Sequence, residues 1–312
     1  MPKPRILFMG TPAFAIPALT NLVKHGYPVI GVVTQPDRPQ GRGRATAPSP
    51  VKLMAEDLGL SVLQPENVRH PSFLTHFREL APEIVIVAAF GQILPGEIIH
   101  GQKGGCINIH PSLLPKYRGA APINWALIRG EEKTGVTIMR MDEGVDSGAI
   151  LLQEETPIEP IETYGMLHDR LAMMGADLLL IALAILQAGT LQPQPQDDRL
   201  ATAAPRLCHE DGLIHWENDY RKIVSLIRGL SPTPGAYSHF GGKQLKVFMA
   251  GAEAGSVTES PGMIVGETAT GLRVAAGNGY VLLQELQLEG KKRMAINNFL
   301  RGVRIAPGQV LG

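Results

Sequence analysis

The chain reads as an α/β protein: a doubly wound, mostly parallel sheet of Rossmann-like type, followed by a smaller β-rich domain. Three observations carry that prediction. The runs ILFM (6–9), VIGVV (29–33) and IVIV (84–87) are apolar at every position, as strands covered on both faces require. Between them lie stretches of helical spacing with a proline near the start, and such alternation implies parallel strands joined by crossover helices. Past a Pro- and Gln-rich stretch, the pattern changes to short strands with glycine turns.

In chain order, the spacing predicts strands over 5–9, 29–34, 61–63, 83–90 and 106–109, with helices over 12–25, 48–58 and 72–80. Strands over 134–141 and 149–154 follow, with the glycine-bounded segment 144–148 turning between them, and then a long closing helix over 161–187. Glycine, proline and glutamine crowd the next stretch, a linker signature. Later strands are predicted over 244–249, 262–265, 272–275 and 280–288, suggesting a small barrel or sandwich. The division is 1–188, a linker over 189–207, and 208–312, and a length of 312 residues suits two domains.

The bulk numbers narrow the function. Lys plus Arg and Asp plus Glu both number 29, so no global field attracts a polyanion, and any nucleic-acid partner must be held locally. The two cysteines, Cys106 and Cys208, are far apart and fit a reduced compartment. The apolar run at 6–9 is shorter than the roughly 7–15 residues of a secretory signal core. The stretch 178–186 falls short of the roughly 20 residues of a membrane span. A soluble protein of the bacterial cytoplasm is expected, and nothing calls for obligate assembly, so a monomer is expected. The loop GTPAFA (10–15) lacks GxGxxG spacing and a phosphate-binding lysine, and the nine histidines form no metal spacing. No metal, no nicotinamide cofactor and no nucleotide hydrolysis are expected.

Chemistry concentrates in two stretches. In CINIHPSLLPKYRGAAPINWALIR (106–129), Asn108 and His110 are two apart on a strand and share a face. Pro111 ends that strand and leaves the pair at its carboxyl end, where doubly wound sheets keep their ligands. An amide and an imidazole side by side can both donate to a carbonyl oxygen that gains charge when an amine attacks it. By spacing alone, a strand-end histidine satisfied by backbone explains the pair equally well. In GVTIMRMDEGVDSG (135–148), Asp142 and Asp146 sit in a turn from which a carboxylate can orient and charge an imidazole. Solvated turn aspartates are the commoner case.

Taken together, NIHPSLLPKYRGAAPINWAL (108–127) and GVTIMRMDEGVDSGAIL (135–151) closely resemble the folate-dependent formyltransferase family. The resemblance implies a catalytic trio of Asn108, His110 and Asp146, with 10-formyltetrahydrofolate as co-substrate. It extends to IVIVAAFGQILP (84–95), whose counterpart lines the pteridine pocket. It thereby implies folate contacts at Phe90, Gly91, Ile93, Leu94 and Pro95, and further contacts at Ser112, Leu113, Leu114, Pro115 and Asp142. Gly10, Thr11 and Phe14 fall on the acceptor side. Phe90 stands where tyrosine is the more usual residue.

The formyl acceptor is read from QPDRPQGRGRATAPSPVKLMA (35–55), which carries Arg38, Arg42, Arg44 and Lys52 with no acidic residue between Asp37 and Glu56. Cations on an adaptable loop can track a phosphate backbone, although a short charge run is usually a solvated surface. The segment is similar to the insertion loop of the methionyl-tRNA formyltransferases, which implies initiator methionyl-tRNA as partner and a discriminating role for Arg42. IRGLSPTPGA (227–236) and NFLRGVRIAPGQVLG (298–312) resemble the same family's OB-like second domain, with Thr233 in place of the usual tryptophan. From Arg206 onward there are 12 Lys plus Arg against 9 Asp plus Glu, densest at Lys291, Lys292 and Arg293. Two other readings remain at this stage: a formyltransferase for a UDP-aminosugar, and a tRNA-binding module without activity.

Overall fold

The computed structural model describes residues 2–40 and 45–312. The chain divides into two compact units, each with its own sheet. One comprises Met1–Gly119, Thr134–Pro157 and His168–Ala204; the other comprises Ala120–Lys133, Ile158–Leu167 and Pro205–Gly312.

The first unit is built on a sheet of seven strands in the order β5-β2-β1-β6-β7-β8-β9. These are β1 (Ile6–Gly10), β2 (Val29–Val33), β5 (Val62–Leu63), β6 (Ile84–Ala88), β7 (Cys106–His110), β8 (Lys133–Arg140) and β9 (Ile150–Pro157). Pairing is parallel from β5 through β7, and β8 turns antiparallel to β7. Strands β1, β6 and β7 are buried along their whole length, which is why β1 and β6 carry no polar side chain, while β7 carries them only at Asn108 and His110. The predicted strand over 83–90 stops at Ala88, because Ala89 and Gly91 take φ of +48° and +89° and swing the chain off the sheet.

The crossover helices are α1 (Ile16–Lys24), α2 (Pro50–Asp57), α3 (Pro71–Leu80) and α4 (Gly96–His100), with the long α6 (Tyr164–Gln187) following β9. The helix predicted from residue 12 opens as a 3-10 turn over Ala13–Ala15, and α1 proper carries Pro17 in its first turn. Ser49 caps α2 by accepting from Lys52 N, and its hydroxyl also meets the buried Thr34 Oγ1 at 2.7 Å. A short hairpin, β3 (Arg38–Gln40) with β4 (Ala45–Ala47), lies between β2 and α2 where the sequence predicts only a loop. Gly175 of α6 lies so close to the sheet that an added Cβ would stand 2.7 Å from Ile109.

The second unit holds α5 (Pro122–Ile128), α7 (Tyr220–Leu230) and α8 (Ile296–Gly302). Its antiparallel sheet runs β10-β11-β14-β13-β12, with β15 paired to β14. The strands are β10 (Ala236–Phe240), β11 (Lys243–Ala254), β12 (Ile264–Thr268), β13 (Gly271–Ala275), β14 (Gly279–Leu288) and β15 (Met294–Ala295). This is the smaller β-rich domain that the glycine-punctuated strands predict. Residues 120–133 and 158–167, assigned by sequence to the first domain, belong here. The reason is packing: Asn124 Nδ2 donates to Gly229 O at 2.8 Å, and Gly229 brings α7 against Ile128 of α5. Ile223, Ile227 and Leu230 of α7 enter a core with Val247, Val274, Val281 and Leu283.

Among the described residues, no helix is long and apolar enough to cross a membrane. Cys106 is wholly buried in β7, and burial pushes its thiol up to about 12, whereas Cys208 is exposed. Alkylation of the folded protein at neutral pH should therefore label one thiol per chain, at Cys208, and both after denaturation. Intact-mass analysis reads this directly, and rapid native labelling of Cys106 would mean that β7 opens to solvent.

Candidate active site

Strand β7 brings Asn108 and His110 to one face near its carboxyl end, paired in register with Met139 and Thr137 of β8. Both side chains are nearly sealed, at 9% and 3% exposure. The turn that carries Asp146 leaves β8 beside the other end of β7, where Met141 N donates to Cys106 O at 2.7 Å. To reach His110 it must fold back along the sheet, and it does so through Asp146 itself, at φ +49°.

His110 is held on both ring nitrogens. Nε2 lies 2.9 Å from Tyr117 O, so it is the protonated nitrogen and donates to that carbonyl. Nδ1 faces Asp146 Oδ2 at 3.6 Å. The carboxylate thus faces Nδ1 just beyond hydrogen-bond distance. The same Asp146 oxygen accepts from Gly119 N at 2.8 Å. Tyr117, like Asp146, takes a left-handed φ, of +63°. The two residues that grip His110 are thus both in a conformation that costs a side-chain-bearing residue roughly 1–2 kcal/mol.

The residues after His110 are anchored from below by Thr137, whose side chain is fully buried. Its Oγ1 donates to Ser112 O at 2.6 Å and accepts from Leu114 N at 3.1 Å and from Gln153 Nε2 at 2.9 Å. Gln153 also donates to Leu114 O at 2.7 Å, and Ser112 Oγ donates to Lys116 O at 2.7 Å. By contrast, the amide of Asn108 makes no side-chain hydrogen bond to any described residue. That amide lies on the same strand face as the imidazole, two residues away.

The loop after β6 lies beside the Asp146 turn: a Cβ on Gly96 would stand 3.2 Å from Glu143 Oε1. Phe90 does not face outward. Its ring joins the core with Val33, Val68 and Leu94, and its carbonyl accepts from Thr11 Oγ1 at 2.8 Å and Gln35 Nε2 at 3.3 Å. Ile93 of this loop is 77% exposed, and Val145 of the aspartate turn is 70% exposed. Asp142, expected to contact folate, is engaged within its turn, accepting from Gly144 N and Ser147 Oγ at 3.0 and 2.9 Å. Gly10 is pressed between β6 and the following turn, with a Cβ position 3.1 Å from Ala88 O and 2.7 Å from Ala15. Phe14 is buried, edge-on to His168 at 5.5 Å.

The expected tRNA contacts divide. Arg38 is exposed on the hairpin, whereas Arg42 and Arg44 lie outside the described residues. Lys52 is already paired, 2.7 Å from Asp37 Oδ2, and Gln64 donates to the other oxygen at 2.7 Å. These two hydrogen bonds hold the Asp37 carboxyl below the ordinary carboxylate range. In the second unit Lys291 and Lys292 are exposed. Arg293 is committed to Glu285 through two bonds of 2.8 and 2.6 Å and lies over the Phe248 ring. Sequence reasoning missed Tyr117, Gly119, Thr137 and Val145. Tyr117 and Gly119 lie inside the motif already singled out, but the sequence carries no sign of the carbonyl and amide they direct at His110 and Asp146.

Comparison with known proteins bears on what this arrangement serves. A formyl transferase model matches residues 4–183, and a formyl transferase C-terminal domain model matches residues 206–304. A protein of Syntrophus aciditrophicus named methionyl-tRNA formyltransferase is 54% identical over 312 residues, covering 100% of both chains. Among solved structures, HypX from Aquifex aeolicus in complex with tetrahydrofolic acid superposes with a TM-score of 0.67 at 19% identity. That match covers 98% of this chain and 49% of the HypX chain. The methionyl-tRNA formyltransferase from Clostridium thermocellum gives a TM-score of 0.56 at 19% identity, covering 79% and 92% of the two chains. At these identities the superpositions speak for the fold.

Asp146→Asn tests the grip on His110. Asparagine tolerates the left-handed region and keeps an oxygen for Gly119 N, so the fold should persist. Turnover should fall by about a hundredfold or more as the charge facing the imidazole is lost. Unchanged kcat, in a protein of unchanged melting temperature, would remove Asp146 from the reaction.

Proposed function

The chain belongs to the formyl transferase family, and from that premise we propose that it moves a formyl group from 10-formyltetrahydrofolate to the free amino group of methionyl-initiator tRNA. The observation that carries the chemistry is the unpaired amide of Asn108 beside the doubly restrained His110. The full-length match to a protein named methionyl-tRNA formyltransferase supports the acceptor.

In the reaction, the neutral amine attacks the formyl carbon. Asn108 donates to the formyl oxygen as it gains charge, a contact that strengthens toward the transition state. His110 supplies the second donor when its Nε2–H turns from Tyr117 O to that oxygen, and Asp146 balances the imidazolium. The carbon–nitrogen bond to the folate N10 breaks, and the amine proton passes through the Asp146–His110 pair to the departing nitrogen. Ile93 and Val145, exposed apolar side chains on neighbouring loops, suit the flat face of a pteridine. Of the expected folate residues, Gly91, Leu94 and Pro95 shape the loop of Ile93, Leu113 and Pro115 lie in the segment after β7, and the Phe90 ring supports its own loop from the core. Arg38, Arg42, Arg44, Lys291 and Lys292 are the cations assigned to tRNA phosphates. The protein acts in the bacterial cytoplasm as a monomer.

The test is formyl transfer from 10-formyltetrahydrofolate with three acceptors: methionylated initiator tRNA, methionylated elongator tRNA and a UDP-aminosugar. Product on the initiator tRNA alone is expected, and product on the sugar would overturn the acceptor. In the same assay Asn108→Ala should lower kcat a hundred- to thousandfold, the usual loss for one oxyanion donor, with KM for folate nearly unchanged. An equal loss in kcat and folate affinity would contradict the role given to Asn108.

Arg42→Ala with Arg44→Ala should weaken reaction with tRNA and reduce the slope of log KM against log salt, each lost phosphate contact removing roughly 0.7–0.9 from it. Folate KM should not move. An unaltered salt slope would count against those arginines as phosphate contacts.

A further inference from the structure

The stretch that composition marks as a linker is strapped onto the catalytic loops of the first unit. Ala204 N donates to Arg118 O at 2.7 Å, Arg118 N donates to Thr202 O at 2.9 Å, and Tyr117 N donates to Thr202 Oγ1 at 2.9 Å. The approach is close enough that a Cβ on Gly119 would stand 2.7 Å from Ala204 O. One side chain of this strap reaches both loops that grip His110. Gln196 Nε2 donates to Asp146 O at 2.8 Å and to Gly148 O at 2.7 Å. Its Oε1 accepts from Arg118 Nε at 3.0 Å and from Arg118 Nη2 at 2.8 Å. Both N–H groups and both lone pairs of this amide are therefore used. Arg118 is steadied in turn by Asp198 Oδ1 at 2.7 Å.

We propose that Gln196 is a positioning residue for formyl transfer, holding the Asp146 turn against Arg118 so that the carboxylate stays on His110. The inference rests on the roles given above to His110 and Asp146. Asp146 is in the left-handed region, and a strained residue persists only where its surroundings over-determine it. Gln196 bonds the carbonyl of that very residue and ties it to the residue after Tyr117, the second strained member of the grip. Only an amide suits this position, because the turn presents two acceptors and the arginine presents two donors. A glutamate would keep Arg118 but face two carbonyl oxygens with negative charge.

The experiment compares Gln196→Met, which removes all four bonds at similar volume, with Gln196→Glu, which removes only those to the turn. His110→Ala and Asp146→Asn serve as references. Each Gln196 variant should lower kcat about 10- to 100-fold, the range seen when a supporting residue lets a reacting group shift by an ångström or loses its outer contact. KM for 10-formyltetrahydrofolate and for methionyl-tRNA should stay within about twofold, as a loss confined to the transition state requires. The ring resonance of His110, identified by its absence in His110→Ala, should move in both Gln196 variants. Near-normal kcat in Gln196→Glu overturns the proposal, as does a loss of kcat matched by a collapse in melting temperature with an unmoved His110 resonance. If the Gln196 variants are active while the references are not, only the strap is wrong. If the references are also active, the underlying reading of the site falls, and the strap with it.

Discussion

A histidine sealed within a protein must satisfy two nitrogens, and at His110 this single requirement organises the loops around it. One acceptor is the carbonyl of Tyr117 and the other is the carboxylate of Asp146. Neither is supplied by the sheet, so two loops have to be bent inward to deliver them, and each bends through a left-handed, side-chain-bearing residue. Left to itself such a conformation relaxes, because its cost is comparable to the roughly 0.5–1.5 kcal/mol net value of a hydrogen bond. It is kept here by several bonds acting together: Gly119 N on the carboxylate, Thr202 on the Tyr117 amide, and Gln196 on the Asp146 carbonyl. The strain and the bonds that hold it are parts of one arrangement.

Asn108 shows the complementary side of that economy. It shares a strand face with His110 and is almost as buried, yet its amide has no partner among the described residues. Under the proposed reaction, an amide left unpaired beside an oriented imidazole is intelligible as preorganisation, a donor that needs little reorganisation when charge develops on a bound oxygen.

The sheet of the first unit was legible in sequence because parallel strands buried on both faces must be apolar throughout, and 6–9, 29–33 and 84–87 are. That Asn108 and His110 share a face was legible because strand periodicity places residues two apart on one side, whereas nothing in the spacing brings Asp146 to them. What escaped prediction is where backbone, not side-chain type, does the work. The grip of Tyr117 on His110 is a carbonyl, and that of Gly119 on Asp146 is an amide, groups every such residue possesses. Helix α7 escaped because it is short and flanked by strand-like runs, although Tyr220, Ile223, Ile227 and Leu230 carry helical spacing. The stretch rich in Pro and Gln reads as a linker by composition, yet proline's missing N–H and glutamine's long amide equally suit a segment that bonds sideways, as Gln194, Gln196 and Ala203 do on either side of a 3-10 turn at Asp198–Leu200.

The pairing of Lys52 changes the meaning of the arginine segment. Charge counting treats Lys52 as one more cation for a phosphate, but it is bound to Asp37, with Gln64 on the other carboxylate oxygen. Asp37 precedes β3 and Lys52 lies in the first turn of α2, so this pair ties together the two ends of the segment that carries Arg38, Arg42 and Arg44. Closing the ends of a loop lowers the entropy lost when its middle engages a ligand. The sign of the titration suits the role. The Asp37 carboxyl is held below its ordinary range, so the tie is complete above the unfolded carboxylate pKa and is lost only as pH falls through the lower, folded one. At neutral pH Asp37 is ionised and holds Lys52 at the base of the loop, so Lys52 is not the free cation that charge counting makes it.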